Sequence, residues 1–565
     1  MTFTAVVSGE TAITARGPLK EAAERVLGRL WIDQVPVRLA SEDASLWPST
    51  ATAGLEGRPL CWPGQPGPGR AALERAEELR ARARADGLTE VALLGRGAPA
   101  RAAELIVAAH RLTARDTAAT TTGDDGEDGD EDGGAAPGAG VSPLTVLDGP
   151  EPGPLLRIRD DPERLNRTMI VVTGDDPGTD TLRQVFARML QDLGLSPDEI
   201  ARRFVTVAEP GAAAAKRATE AGHPLIEAPA PTAFGALSPY ALVPAALAGA
   251  DVGRLLDAAT AVLPSLTRPE NNPGLVLGAI LGGAARTGRR TAVLGGYPAA
   301  LPGIAGWVAL LLEETARGRL TPVVQGGGLP LTPAGDLFLV TFDGRPHQDD
   351  STVAGPLAAQ LVVWEYAAAV AAYLLELDPL TPRDRAAPMT LDDGSGDPLF
   401  ADGDPGRAVE VHTTVPALAA APDLPRLLDA LTDRIGADEH LAIVAYLDPD
   451  ETRGQGTQIR RLAALLAARC GRPVTVGWGG RRLPSGNDQP DGGVFLLVTG
   501  NVVRDVPVPD RHHRLGMLQL ARALGDARDA RAAGRPVVRL HLQNRWAGLA
   551  RLLDSARGDP GRGGE

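Results

Sequence analysis

The run Ala233-Phe234-Gly235-Ala236-Leu237-Ser238-Pro239-Tyr240-Ala241-Leu242-Val243-Pro244-Ala245-Ala246-Leu247 decides how this chain is read. It is almost wholly apolar. Its aromatic, Ser-Pro and Val-Pro positions serve packing and turn geometry rather than chemistry. Immediately upstream stands Pro231-Thr232-Ala233. The run is framework, so the chemistry has to be sought around it.

On both sides of it, short apolar strands alternate with helical patterns. Val91-Ala92-Leu93-Leu94 reads as a buried strand, turned by Gly95-Arg96-Gly97 into a helix over 100–109. Strand signals recur at 144–147, 169–172, 204–207, 291–294, 337–340, 441–446, 474–477, 494–499 and 537–542. Helices are expected over 307–315, 360–375, 424–434, 458–469 and 515–533. Such alternation argues for α/β layers, with parallel sheets covered on both faces. Residues 1–85 read as a mainly helical segment after a short alternating start, with a Pro/Gly-rich link over 59–69. The expected division is this segment, a first α/β domain over 86–249, a second over 250–555, and a frayed tail over 556–565. The first domain carries an acidic insert over 116–142, whose Gly123–Gly140 stretch cannot bury apolar surface. A polar loop is expected over 386–407.

The chain has 565 residues, 44% of them hydrophobic and 23% charged, as in ordinary globular proteins. Its net charge of −14 argues against nucleic-acid or anionic-membrane binding. The apolar run near 361–377 carries Glu365 and Glu376 and reads as a buried helix. Without an apolar leader pattern at the start, a cytoplasmic protein is expected. Cys61 and Cys470 have no metal-site spacing, and neither a metal nor a cofactor is expected. Lysine occurs only at Lys20 and Lys216; the other basic side chains are arginine, which cannot give up a proton near neutral pH.

The run 233–247 resembles a signature of the glucose-6-phosphate isomerase family, best of all the isomerase half of transaldolase–isomerase fusion proteins. Other motifs resemble that family in the same order: Asp43-Ala44-Ser45-Leu46-Trp47, Leu144–Asp148, Asn272-Pro273-Gly274-Leu275, Trp364-Glu365-Tyr366, Gly492–Leu496 and Ala523-Leu524-Gly525-Asp526. The resemblance covers nearly all of residues 20–555. It implies two sugar-isomerase (SIS), flavodoxin-like domains with the active site at strand C-terminal ends. It also implies a homodimer, or a heteromer with a related sugar-phosphate enzyme.

The family's reaction needs a phosphate cradle, a carboxylate base, a cation and a histidine with lysine nearby. By resemblance, Glu314 stands at the base position, and Gly95, Gly97, Thr173, Gly178 and Thr179 stand where the substrate's phosphate is gripped. The departures converge. The family's Gly-Gly-Arg before the signature is Pro231-Thr232-Ala233. Its Ser-x-Ser-Gly-Thr-Thr loop is Thr173-Gly174-Asp175-Asp176-Pro177-Gly178-Thr179, which fits an Asp-capped strand-to-helix turn better than an anion site. Pro490 stands for the histidine, and no lysine follows Lys216. The expectation is a family member of sugar-phosphate metabolism that has lost the reaction and acts structurally or in regulation. The alternatives are an active aldose–ketose isomerase with Glu314 as base, and a sugar-phosphate sensor. The arrangement of Asp175 and Asp176 at the crevice discriminates among them.

Overall fold

The computed structural model describes residues 3–8, 10–47, 67–121, 141–296, 301–324, 335–345, 349–380, 396–436, 439–479 and 493–557. A hairpin of β1 (Phe3–Ser8) and β2 (Thr11–Arg16) opens the chain. Five strands follow: β3 (Glu90–Leu94), β4 (Leu144–Leu147), β5 (Thr168–Val172), β6 (Phe204–Ala208) and β7 (Leu225–Glu227). They form a first sheet, all parallel, in the order β4-β3-β5-β6-β7. Next come β8 (Thr291–Gly296), β9 (Thr321–Val324), β10 (Leu337–Phe342) and β11 (Ser351–Ala354). The opening hairpin adds antiparallel to β11, giving a second sheet, β1-β2-β11-β10-β8-β9. The last six are β12 (Phe400–Asp402), β13 (Val409–Thr413), β14 (His440–Ala445), β15 (Val474–Trp478), β16 (Gly493–Gly500) and β17 (Val537–Leu542). They make a third, mixed sheet, β12-β13-β17-β16-β14-β15.

The expected α/β class holds, and each expected strand and helix within the described residues is present. The arrangement is different. The strands after residue 249 are divided between two sheets, and one of these is completed by the N-terminal hairpin. In segment 1–85 the short alternating start is the hairpin, whose β2 lies inside a sheet, and the rest includes helices Gly17–Ile32 and Gly67–Ala85. Helix Gly97–Thr121 runs into the first six positions of the expected acidic insert, and 122–140 lie outside the described residues. Strand β12 falls within the expected loop 386–407, of which 386–395 lie outside. Helix Arg545–Arg557 takes up 556 and 557 of the expected tail; 558–565 lie outside. Strands β7, β9, β11 and β12 are three or four residues long. None of these four has the apolar run of the equally short β4 (Leu144–Leu147).

One apolar core joins the inner faces of the first and second sheets. At its centre lies helix Leu357–Leu374, apolar on every side and buried at every position except Tyr373. It is long and apolar enough to cross a membrane, but it lies inside the protein, as the buried-helix reading expects. Helix Pro273–Arg286 packs against it through Gly274, Gly278 and Gly282, spaced one turn apart and facing Tyr366, Val370 and Leu374. A Cβ on Gly278 would come 2.5 Å from Val370 Cβ and 2.9 Å from the Ala367 carbonyl oxygen. Gly278→Ala therefore loses despite the better helix propensity of alanine, because the blocking atom is backbone. The expected cost is about 1–3 kcal/mol, read by denaturant unfolding.

The signature run occupies the same core. Helix Pro239–Ala248 is buried at all ten positions, with Pro239 in its first turn and Gly249, at φ +99°, ending it. The Ala236 N–H donates to Glu365 Oε1 at 2.7 Å, and the Ser238 hydroxyl donates to the Gly235 carbonyl at 2.7 Å. Two of the motifs that lie far apart in sequence, the signature and Trp364-Glu365-Tyr366, are thus bonded to each other. The glutamate is a buried framework acceptor.

Candidate functional site

The site grows out of strand register. β3 and β5 are parallel neighbours, with Leu94 opposite Val172, so the chain leaves both at the same height. Gly95 and Thr173 then lie side by side; a Cβ on Gly95 would stand 2.0 Å from Thr173 Oγ1, which explains the glycine. Gly97, at φ +77°, turns the chain into helix Gly97–Thr121. Gly235 closes the turn from the signature side, where a Cβ would meet Pro99 Cγ at 2.4 Å.

Glu314 arrives from the end of helix Ile304–Ala316. Its Oε1 accepts from the Ala98 N–H at 3.2 Å, and a Cβ on Gly97 would lie 3.1 Å from it. It thereby lies on one of the free N–H groups that open helix Gly97–Thr121, where a negative charge is favoured. The fold thus brings the glycine turn and Glu314 together, although more than 200 residues separate them.

The turn after β5 is capped by its own carboxylate. Asp176 accepts from the Gly178 N–H at 3.0 Å, the Thr179 N–H at 3.2 Å and the Thr179 hydroxyl at 2.7 Å. Arg96 adds an ion pair at 3.2 Å while its Nε donates to the Asp148 carbonyl at 2.9 Å. Asp176 is only 8% exposed. Burial opposes its charge, but Arg96 and the Thr179 and Gly178 donors outweigh that and hold its carboxyl below the usual aspartate value. Asp175 turns outward to Arg217 at 2.7 Å. Thr173 is buried, its hydroxyl directed at the Leu94 carbonyl at 3.4 Å. So Gly178 and Thr179 donate to Asp176, and Thr173 has a framework contact.

The third sheet supplies the opposite wall. Tyr446, one residue beyond β14, donates its hydroxyl to Asp526 of helix Leu515–Ala532 at 2.5 Å. Burial first, and Asp529 nearby, push the Asp526 carboxyl up to about 6, against the pull of Tyr446 and Arg96. Asp526 lies in the Ala-Leu-Gly-Asp motif, but no functional reading of the sequence used it; a lone aspartate in an amphipathic helix carries no signal of what it faces. The stretch after β4 is tied to the third sheet's loops by Arg157 to Asp448 at 2.5 Å and by Glu151 to Arg545 at 2.9 Å. Val506, Val508, Leu515 and Leu518 insert into the outer core of the first sheet.

Beside this site lies a cavity of about 1120 Å³, bordered by β4, β9 and β15, the edge strand of each sheet at that end. Arg101, Arg157, Trp307, Glu313 and Trp478 line it. Gly95, Gly97, Thr173, Gly178, Thr179 and Glu314 do not. Glu104, Asp148, Glu151, Asp450 and Glu451 border this space, and so, of the Glu313-Glu314 pair, does Glu313, one position before the one the sequence suggested. Its residue type and place in the Glu313-Glu314 pair were visible; the helix face was not. Residues 485–492 and 381–389, where the family's histidine and lysine positions fall, lie outside the described residues. Among the described residues no grouping of three His, Cys, Asp or Glu side chains could hold a metal ion.

No protein-family model matches the chain, and no curated protein does. Among solved structures it is similar to a hypothetical protein from Thermus thermophilus, at 16% identity and a TM-score of 0.39, over 98% of this chain and 93% of that one. It is similar to a glucose-6-phosphate isomerase from Chlamydia trachomatis, at 13% identity and a TM-score of 0.43, over 67% and 86%. A third likeness is to the C-terminal domain of glucosamine-fructose-6-phosphate aminotransferase from Francisella tularensis, at 12% identity and a TM-score of 0.31, over 55% and 93%. At these values the likenesses assign no function, and the reading of the site rests on its own residues.

Proposed function

We propose that this chain is a phosphosugar-isomerase-like protein whose anion sites are filled by its own carboxylates, and that it serves sugar-phosphate metabolism in a structural or regulatory role without turning over glucose 6-phosphate. The observation that carries this reading is Asp176. Its carboxylate takes the Gly178 and Thr179 N–H groups, the Thr179 hydroxyl and Arg96, the donor set a phosphate would need at that helix start. Glu314 does the same at Ala98. A phosphate dianion entering there would meet two fixed carboxylates and donors already engaged.

The test has two arms. In a coupled assay with fructose 6-phosphate the wild type is expected to show no turnover above background. Turnover abolished by Glu314→Gln would overturn the reading in favour of an active isomerase. In the second arm, Asp176→Ser keeps a residue that caps helices well, so the fold should lose only a few tenths of a kcal/mol to about 1 kcal/mol. It frees the backbone donors and Arg96. Binding of inorganic phosphate, followed by calorimetry, is expected to appear in the variant and be absent in the wild type. Equal phosphate binding by both would show that Asp176 does not occupy the site.

A further inference from the structure

On one face of the third sheet, β13 and β17 present Val409, Val411, Val538, Leu540 and Leu542 to an apolar core. On the other face, helix Leu515–Ala532 packs over β16 and β17, where its alanines meet Phe495, Leu497 and Val537. Farther along β17, and on β13 beside it, alternation puts Arg539, His541, Glu410 and His412 on that second face. The antiparallel register sets Arg539 opposite His412 and His541 opposite Glu410, and side chains of such pairs start about 5 Å apart. Arg539, His541 and His412 are each less than a tenth exposed.

His541 and Glu410 are held in place. His541 bonds the Thr499 hydroxyl at 2.9 Å and the Asn501 side-chain oxygen at 3.0 Å, and Glu410 accepts from the Gln543 amide at 2.8 Å. His412 is not held in this way. Among the described residues its buried Nε2 has no hydrogen-bond partner, and Glu410 Oε2 stays 3.9 Å away. Arg531, in the last turn of the covering helix, likewise has a buried Nε with no hydrogen-bond partner. Burial first, and Arg539 next, push His412 down to about 4 against the pull of Glu410, and His541 is lowered by the same two causes. Both histidines are therefore neutral at pH 7. Among the described residues Arg531 and Arg539 then act on this group with Glu410 as the opposing carboxylate, an excess of one positive charge. Arg535 lies apart, over the Phe495 ring at 5.5 Å. An excess charge taken out of water is costly unless a counter-charge joins it.

We propose that His412, Arg539 and Arg531 form a binding site for a small carboxylate, separate from the Asp176 turn. One carboxylate oxygen accepts from the Nε2–H of His412, and the other lies against the guanidinium of Arg539 on the neighbouring strand. The single negative charge cancels the excess, whereas a phosphate dianion would leave a buried negative charge beside Glu410. The burial of the group restricts the ligand to an ion of few atoms. None of these residues belongs to the Gly95–Gly97 or Asp176 turns, so the site stands whether or not the chain handles sugar phosphates.

NMR of the histidine side chains in the full chain tests this, with sodium acetate titrated at pH 7 against sodium chloride at constant ionic strength. The signal lost in His412→Gln identifies His412. In the wild type that signal is expected to shift saturably at millimolar acetate, and to respond to inorganic phosphate no more than to chloride. Arg539→Gln and the half-buried Arg531→Gln should each weaken acetate binding roughly tenfold, the size of a lost charge-assisted bond, and the second variant serves if the first does not fold. Bound acetate should also raise the His412 pKa, because added negative charge favours the imidazolium; a merely structural histidine would show no such change. The absence of a saturable shift in the wild type would overturn the site, as would unchanged acetate affinity in the folded arginine variants. A phosphate response equal to that of acetate would overturn the assignment to a carboxylate.

Discussion

Asp336→Ala is expected to destabilise the protein by about 3–5 kcal/mol, because it strands a buried guanidinium. Arg472, just after helix Gly456–Cys470, reaches Asp336, just before β10, with both guanidinium nitrogens at 2.9 and 2.5 Å, and its Nε donates to the Glu439 carbonyl. Both side chains are less than a tenth exposed. The pair ties the second sheet to the third. Removing the acid leaves a charge that can neither reach water nor lose its proton. Replacing both residues with apolar ones of similar size is expected to cost much less, and denaturant unfolding of the single and double variants checks it. Burial opposes the ionised form of Asp336, but its bonds to Arg472 win and lower its pKa. The sign follows: a depressed folded pKa means stability present above the ordinary aspartate value and lost as pH falls through the lower folded value. An unfolding series extended into acid should show this loss in the wild type and not in Asp336→Asn.

Asp526→Asn is expected to act in the opposite direction. The carboxyl titrates at about 6 in the folded chain, above its ordinary value of 3.8. Below the ordinary value it is protonated in both states and carries no penalty. As pH rises through the folded value the buried group must ionise, and stability falls by ~3 kcal/mol, two pKa units' worth. Asparagine is never ionised, and its carbonyl still accepts from Tyr446. The variant should be more stable than the wild type by ~2–3 kcal/mol near pH 7.5 and equal to it near pH 4. Unfolding midpoints at the two pH values decide it, and a gain at both would show that packing rather than charge is responsible.

Local order was legible where apolar pattern and length suffice. Four consecutive buried positions in β3, or the almost wholly apolar helix Leu357–Leu374, allow one reading each. The Asp176 cap was legible too, because an aspartate just before Pro-Gly-Thr at a helix start bonds groups two and three residues away. The division of residues after 249 into two sheets was not, since the hairpin that completes one of them comes from the far end of the chain and leaves no mark near β11. Nor was the choice between Glu313 and Glu314. Adjacent helix positions point about 100° apart, and only packing says which faces the cavity and which the Ala98 N–H.

The run 233–247 shows the division most plainly. Its residues were enough to mark it as framework, because prolines, small residues and an aromatic restrict the local backbone and demand burial. That its Ala236 amide hangs on Glu365, and that the glycine turn it abuts is filled by Glu314 and faced by Asp176, depended on strands and helices meeting across long stretches of chain. Hydrogen bonds and ion pairs are short-ranged. That Glu314 occupies the start of helix Gly97–Thr121 is therefore settled when the sheets dock, whereas the Asp176 cap is settled by its own neighbours along the chain.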